Sequence, residues 1–458
     1  MSGLVISYSG VRGLVGRDLD PSVARRFGVA FRRMVTELYP VGPVRLVVGR
    51  DTRASGPELQ SALMQGLSEA RARVRIIDLD VAPTPTIQFA LGALAAHGAV
   101  AVTASHNPAP WNGFKFFLAP DNTVLDGAQT QRLIREVSVA SDVAAAVTRD
   151  NQQERAVALH VARVLEQVDA ERIRGRHFRV ALDAARGAGE RPALRLLDAL
   201  GCTVTRVDVE RESEPVAENL AALGAAVVQN GCAVGFAQDL DGDRLALTTE
   251  TGTAPGEDYT LVLVVDHLLR RAHPSVPVVV KNVSTTRAVD DVVARAGAEL
   301  VETRVGEVNL SHALKRQIDL GRVAFGGEGN GGVMLPSVHL GRDSLVGMAL
   351  VLEALAQRDE PLSARLRELP RYHAAKLKIP LTPSRDPASL MAAVERAFPD
   401  GVADHLDGLR LRFAGGAWLG MRRSNTEPII RVAVESADAE WVSRVVKTLQ
   451  NARFVANA

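Results

Sequence analysis

Four stretches of this chain hold side chains that could do chemistry, and each lies where an apolar run gives way to a turn. The first is Thr103-Ala104-Ser105-His106-Asn107-Pro108, directly after Gly98-Ala99-Val100-Ala101-Val102. The small apolar run reads as a buried strand, and proline after asparagine ends regular structure. A hydroxyl with an adjacent imidazole is thereby delivered to a strand end, where open α/β sheets place their chemistry. A plain Ser/Asn-rich turn is the competing reading for this stretch alone.

The second stretch, Asp239-Leu240-Asp241-Gly242-Asp243-Arg244, follows the apolar run Ala233–Ala237. Carboxylates at i, i+2 and i+4 of a loop can converge on one hard cation, Mg²⁺ or Ca²⁺. A calcium EF-hand is the serious competitor, because Glu250 falls at its twelfth position. Against it, Arg244 stands where that loop needs glycine, and the flanks read as strands. An unliganded acidic hairpin is the third option.

The third stretch is Phe325-Gly326-Gly327-Glu328-Gly329-Asn330-Gly331-Gly332, read as a glycine-rich loop whose Glu328 and Asn330 suit sugar hydroxyls. The fourth is Arg422-Arg423-Ser424-Asn425-Thr426-Glu427-Pro428-Ile429-Ile430-Arg431, rich in the donors that a phosphate needs. Two lesser signals accompany them. Arg12 lies between glycines in Ser9-Gly10-Val11-Arg12-Gly13, and Lys115 closes Asn112-Gly113-Phe114-Lys115.

The elements that must position these residues repeat one grammar three times. A strand from Val44, the turn Gly49–Arg53, a helix Gly56–Ala70 and a strand from Val74 form the first unit. Strand Phe178–Leu182, helix Pro192–Leu200 and strand Cys202–Val207 form the second. Strand Val276–Val280, the turn Asn282–Thr286, helix Arg287–Ala296 and strand Ala298–Thr303 form the third. This predicts three related α/β domains. Pro83-Thr84-Pro85-Thr86 reads as a rigid turn. Two strands around Arg422–Arg431 and a helix from Glu440 to Ala452 suggest a smaller closing domain.

Composition excludes several classes. The 458 residues are too many for one core. With 54 Lys+Arg against 53 Asp+Glu, no global field points to nucleic acid or to a membrane surface. Cys202 and Cys232 are too few for a disulfide framework. Neither a signal peptide nor a membrane span is visible, so a cytoplasmic protein is expected.

Taken together and in order, the motifs resemble those of the α-D-phosphohexomutase family, the phosphoglucomutases, phosphomannomutases and phosphoglucosamine mutases. The family carries T-A-S-H-N-P, D-x-D-G-D-R, G-E-x-S-G-H and R-x-S-N-T-E-P-x-x-R, and the likeness covers nearly the whole chain. The resemblance implies that Ser105 is a phosphoserine, beside His106, Arg12 and Lys115. It further implies that Asp239, Asp241 and Asp243 hold Mg²⁺, completed by the phosphate on Ser105, and that Arg244 contacts substrate. Glu328 and Asn330 become sugar ligands, and Arg422, Ser424, Asn425, Thr426 and Arg431 the grip on the non-reacting phosphate.

Two departures stand out. The sugar loop reads G-E-G-N-G-G, so Asn330 replaces serine and Gly332 replaces histidine, as in an archaeal-type branch. Glu307 stands where a second histidine follows the glycine of T-x-x-G in the phosphomannomutase/phosphoglucomutase branch. His339, beside Gly341-Arg342-Asp343, is a candidate replacement for the missing histidines.

The expected architecture is α/β: three Rossmann-like domains, 1–150, 151–254 and 255–368, plus an α+β domain, 369–458, around a central cleft. The implied reaction exchanges phosphoryl between C1 and C6 of a hexose or hexosamine phosphate, with a hexose 1,6-bisphosphate as intermediate and activator. The implied partner is a sugar phosphate, with no nucleic acid and no membrane. A Mg²⁺-dependent sugar phosphatase and a non-catalytic Ca²⁺ or sugar-phosphate sensor are the alternatives.

Overall fold

The computed structural model describes residues 3–7, 10–68, 73–141, 145–381, 386–424 and 429–451. Four sheets follow one another along the chain. The first contains β1 (Val5–Ser7), β2 (Gly10–Leu14), β3 (Val44–Arg50), β4 (Val74–Val81), β5 (Gly98–Val102), β6 (Trp111–Leu118), β7 (Thr123–Val124) and β8 (Arg149–Asn151). Its order is β1-β2-β6-β5-β3-β4-β8, with β7 paired to β6. The second contains β9 (Arg179–Asp183), β10 (Thr203–Arg206), β11 (Val234–Gln238) and β12 (Leu245–Thr249), and the third β13 (Val278–Asn282), β14 (Glu299–Thr303), β15 (Ala324–Glu328) and β16 (Gly332–Met334). The last is β17 (His373–Pro380), β18 (Val402–Asp404), β19 (Leu409–Arg412), β20 (Trp418–Arg423) and β21 (Ile429–Ser436), in the order β17-β21-β20-β19-β18 and antiparallel throughout.

The expected threefold repeat is present. The second and third sheets run β10-β9-β11-β12 and β14-β13-β15-β16, and the first holds the same order in β4-β3-β5-β6. In each, the first three strands are parallel and the fourth antiparallel. Every unit therefore turns back from its third strand into its fourth through one loop. Those loops hold Ser105, Asp239–Asp243 and Gly329–Gly331, so the repeat delivers three candidate stretches from equivalent positions.

Strand composition explains burial and aim. Every residue of β5, Gly-Ala-Val-Ala-Val, is buried, as a strand covered on both faces requires. In β6, Phe114 and Phe116 pack on Phe27 and Phe31 of helix Pro21–Leu38. The period of two then sends Lys115 to the opposite face. The second and third units share one apolar core, in which Phe236, Leu245, Leu261, Val279 and Phe325 belong to the same cluster, whereas the C-terminal sheet packs separately on Leu390, Val394, Val442 and Val445.

Two expectations are corrected. Pro83-Thr84-Pro85-Thr86 opens a helix, Thr84–Ala93, with extended Pro83 as its cap. Proline lacks only an N–H that the first turn leaves unused, so it suits this place. The glycine-rich loop is also shorter than expected, since Phe325, Gly326, Gly327 and Glu328 are in β15. Gly326 is a packing glycine, because a Cβ there would stand 1.8 Å from the Val280 carbonyl oxygen. Gly326→Ala should separate β15 from β13 and cost ~3 kcal/mol or more, as overpacking does. A melting temperature within a degree or two of wild type would contradict that reading of Gly326.

Candidate functional site

Ser105 is buried, with φ +53°, an uncommon conformation for a residue with a side chain. Its strained turn is held from several sides. The Ser105 N–H donates to Thr103 Oγ1 at 2.8 Å, and Thr103 Oγ1 donates to Asp51 Oδ2 at 2.7 Å. Asp51 pairs with buried Arg53, whose guanidinium donates to the carbonyls of Ser105, Asn107, Pro108 and Trp111 at 2.6–3.0 Å. Asp51 and Arg53 thus fix the serine loop. Sequence reasoning saw them only as a polar turn, although a carboxylate and a guanidinium two apart at a strand end were the available signal.

Ser105 Oγ points into the second unit and lies 3.4 Å from Asp239 Oδ2. Asp239, Asp241 and Asp243 follow β11, and a carboxylate oxygen from each lies within 4.8 Å of those of the other two. All three are buried. Gly242 permits the hairpin, since its φ is +69° and a Cβ would meet Pro83 at 3.0 Å. Thr84 braces the loop from the first unit, its N–H donating to the Asp241 carbonyl at 2.9 Å and its hydroxyl to Asp241 Oδ2 at 2.7 Å.

The electrostatics follow from three carboxylates in one buried loop. Burial, with Asp243 and Asp241 alongside, pushes Asp239 well above the carboxylate range. Burial opposes ionisation of Asp241 and Asp243 too, but nearby cations prevail and hold both low. Lys115 Nζ donates to Asp241 Oδ2 at 2.7 Å and to Asp243 Oδ2 at 2.8 Å. Asp241 Oδ1 and Asp243 Oδ1 are buried without a hydrogen-bond partner. Two orphaned anionic oxygens beside a third carboxylate and a serine hydroxyl are a donor set that fits a hard divalent cation. The EF-hand reading is overturned, because strands flank the loop and Glu250 accepts from the Ser363 N–H at 3.1 Å and from its hydroxyl.

Cations from the first unit and from the same loop close the site. Arg12, on β2, donates to Asn107 Oδ1 of the serine loop. Burial lowers its pKa to about 10, so it stays charged at neutral pH. Arg244 Nη1 donates to Glu214 Oε1 at 2.8 Å, and its Nη2 lies 2.9 Å from His106 Nδ1. Arg244 first, then burial, keeps His106 neutral, so His106 is an acceptor at physiological pH.

In the third unit, Glu328 ends β15 and is buried, with Oε1 accepting from Asn282 Nδ2 at 2.8 Å and Oε2 from Arg342 Nη1 at 2.9 Å. Asn330 Nδ2 reaches Glu328 at 3.5 Å, while Asn330 Oδ1 is a buried acceptor with no partner. Glu307 opens helix Glu307–Asp319 and is buried, which raises its carboxyl pKa. Arg342 was not singled out from sequence, yet it also bonds Glu307 Oε2 at 3.2 Å and Asp243 Oδ2 at 2.7 Å. His339 does not reach this cluster. Its Nε2 lies 3.1 Å from Asp343 Oδ2, as His160 Nε2 does at 2.8 Å, in a buried network that ties the units together.

The last sheet supplies Arg422 on β20, opposite Arg431 on β21. Burial lowers the pKa of Arg422, whose Nε lies 3.7 Å from Asp407 Oδ2, and Arg431 Nε lies 3.4 Å from Ser424 Oγ. Asn425 and Thr426 lie outside the described residues. The sheet docks on the third unit through Arg410 and Glu302, paired at 2.6 Å, and through the Arg287 N–H to Glu435 at 2.8 Å.

Comparison with known proteins identifies the family. The chain matches the "Phosphoglucomutase/phosphomannomutase" α/β/α domains I, II and III over residues 5–142, 158–252 and 256–372, and the C-terminal domain over 378–452. It belongs to the phosphoglucomutase/phosphomannomutase family. A phosphoglucomutase/phosphomannomutase of Thermococcus kodakarensis is 33% identical across 96% of both chains. A probable phosphoglucosamine mutase of Methanopyrus kandleri is 31% identical over 96% of this chain and 95% of its own. The crystal structure of a phosphoglucomutase/phosphomannomutase family protein from Burkholderia thailandensis superposes with TM-score 0.80 at 26% identity, covering 98% of this chain and 97% of that one. Among the described residues, no helix is long and apolar enough to cross a membrane.

Asp241→Asn removes one of the three clustered carboxylates that could hold the cation. It should weaken Mg²⁺ binding, measured calorimetrically without substrate, by ~10-fold or more, about 1.4 kcal/mol. Unchanged affinity would place the cation elsewhere.

Proposed function

We propose that the protein is a Mg²⁺-dependent phosphohexomutase, interconverting the 1- and 6-phosphates of a hexose or hexosamine through a phosphorylated Ser105. The observation that carries this reading is Ser105 Oγ against Asp239 of the buried carboxylate trio, at 3.4 Å. The phosphorylated serine gives its phosphoryl group to a sugar phosphate hydroxyl: the P–Oγ bond breaks, a P–O bond to the sugar forms, and the proton given up by the sugar hydroxyl is balanced by the one that Ser105 Oγ takes up as it departs. The resulting hexose 1,6-bisphosphate turns over in the cleft, and Ser105 Oγ takes the other phosphoryl. The two half-reactions balance with no net consumption of phosphate.

Asp239, Asp241 and Asp243 are the proposed ligands, with phosphorylated Ser105, and Mg²⁺ bound there would neutralise charge developing on the transferring phosphoryl. Lys115 and Arg12 supply fixed positive charge beside Ser105. His106 orients Arg244, which faces the substrate. Glu328 and Asn330 meet ring hydroxyls. Arg422, Ser424, Asn425, Thr426 and Arg431 hold the phosphate that does not react. The boundaries 1–150, 151–254, 255–368 and 369–458 are the proposed limits of the units that supply these loops.

Ser105→Ala should abolish mutase turnover and leave the melting temperature near wild type; near-normal turnover at matched bisphosphate would refute the assignment. Sugar selection should be broad at C2, because a carboxylate and an amide directed at ring hydroxyls demand no amino group there. Glucose, mannose and glucosamine phosphates should all react. Glu328→Ala should lower kcat/KM for each about 10–100-fold, from a hydrogen bond to a charged group worth ~1.5–3 kcal/mol. A single accepted sugar, with Glu328→Ala harmless, would move recognition elsewhere.

A further inference from the structure

Arg342 is the one side chain bonded to both the metal loop and the sugar loop among the described residues. Its guanidinium reaches Asp243 Oδ2 at 2.7 Å, Glu328 Oε2 at 2.9 Å and Glu307 Oε2 at 3.2 Å. It is buried, and its backbone is fixed: the N–H of the next residue, Asp343, donates to Val333 on β16 at 2.8 Å, and Asp343 caps helix Ser344–Ala356. A planar fork on a rigid mount sets the direction of the carboxylates it grips.

Gly332 explains how the arginine gets there. Gly331 is a conformational glycine, with φ +82° and a Cβ position 2.2 Å from the Leu245 carbonyl oxygen. Gly332 has no such backbone requirement. Its Cβ would meet Arg342 Cδ at 2.3 Å and Cγ at 2.8 Å, with Asn330 Oδ1 next at 3.0 Å. The missing side chain at 332 is the space through which the Arg342 stem passes. Where the G-E-x-S-G-H pattern has a histidine, this chain has a void filled by an arginine from a later turn.

We propose that Arg342 is the positioning residue of the sugar site, admitted by Gly332, and that it couples Glu328 to the metal loop. This rests on the mutase reading of the same cleft. Arg342 aims Glu328 at the substrate while placing positive charge on a metal-binding carboxylate. Removing it should therefore move two affinities in opposite directions. Sugar binding weakens as Glu328 loses its orientation, and Mg²⁺ binding tightens as Asp243 is relieved of a competing cation. General structural damage would weaken both.

The test compares wild type, Gly332→Ala, Arg342→Ser and the double variant, each first checked for a cooperative melt. KM and kcat are measured with glucose 1-phosphate at saturating Mg²⁺ and bisphosphate, and Mg²⁺ affinity by calorimetry on sugar-free protein. Arg342→Ser should raise KM about 10-fold or more and tighten Mg²⁺ binding severalfold. Gly332→Ala should raise KM about tenfold alone, and less than about twofold when Arg342 is already serine, since the clash is then gone. Additive effects, or Mg²⁺ and sugar affinities falling together, overturn the proposal. Should Arg342→Ser not fold, Arg342→Lys keeps the charge and loses the fork: raised KM at unchanged Mg²⁺ affinity supports the proposal, and unchanged KM overturns it. Wild-type protein that turns over none of the glucose, mannose and glucosamine 1-phosphates refutes the mutase reading alone, and the dissociation constant of glucose 6-phosphate then replaces KM in the same comparison; if another of these sugars is accepted and glucose is not, that sugar replaces glucose throughout. Wild-type protein that binds none of the glucose, mannose and glucosamine 6-phosphates overturns both.

Discussion

Three carboxylates buried in one hairpin are the constraint around which the structure is arranged. An isolated buried carboxylate is strongly disfavoured, and three together repel one another. The chain answers with cations from its other units. Lys115 comes from the first sheet, 126 residues from Asp241 in sequence, and Arg342 from the turn that follows the third sheet, 99 residues from Asp243. Both bond the same Asp243 oxygen. This shared charge balance makes the carboxylate loop a product of three units rather than of its own hairpin.

The threefold repeat is what makes such convergence possible. In each unit the candidate groups stand in the loop after the third strand or, for Glu328, at that strand's last position, and a polar residue at the end of the first strand or just past it steadies them. Asp51 accepts from Thr103 beside Ser105, Asp183 holds Arg211 against the Gln238 carbonyl, and Asn282 donates to Glu328. One topology thus supplies the serine loop, the carboxylate loop and the glycine loop, each braced from the end of its unit's first strand. The fused apolar core of the second and third units keeps their loops in register with each other.

The sequence made the repeat and the principal loops legible because their signals are local. Apolar runs mark the parallel strands, and the alternating carboxylates stand within five residues. What stayed hidden depends on distance in the fold. Arg53 looks like an ordinary turn residue until its guanidinium is seen to collect four carbonyls of the serine loop. Pro83–Thr86 reads as a turn because two prolines usually mark one, yet they also fit a helix start, and Thr84 there braces Asp241. Gly326 and Gly332 belong to the same run, but one is required by a neighbouring strand and the other by an arginine ten residues on. Nothing local distinguishes a glycine that frees the backbone from one that clears a path.

The central claim is that Ser105 carries the phosphoryl group over the carboxylate trio. Mass spectrometry of the intact protein and its peptides, after incubation with Mg²⁺ and hexose 1,6-bisphosphate, tests it most directly. The account predicts a single addition of about 80 Da, the mass of one phosphoryl, on the peptide containing Ser105. An unmodified protein, or an addition on any other peptide, would contradict it.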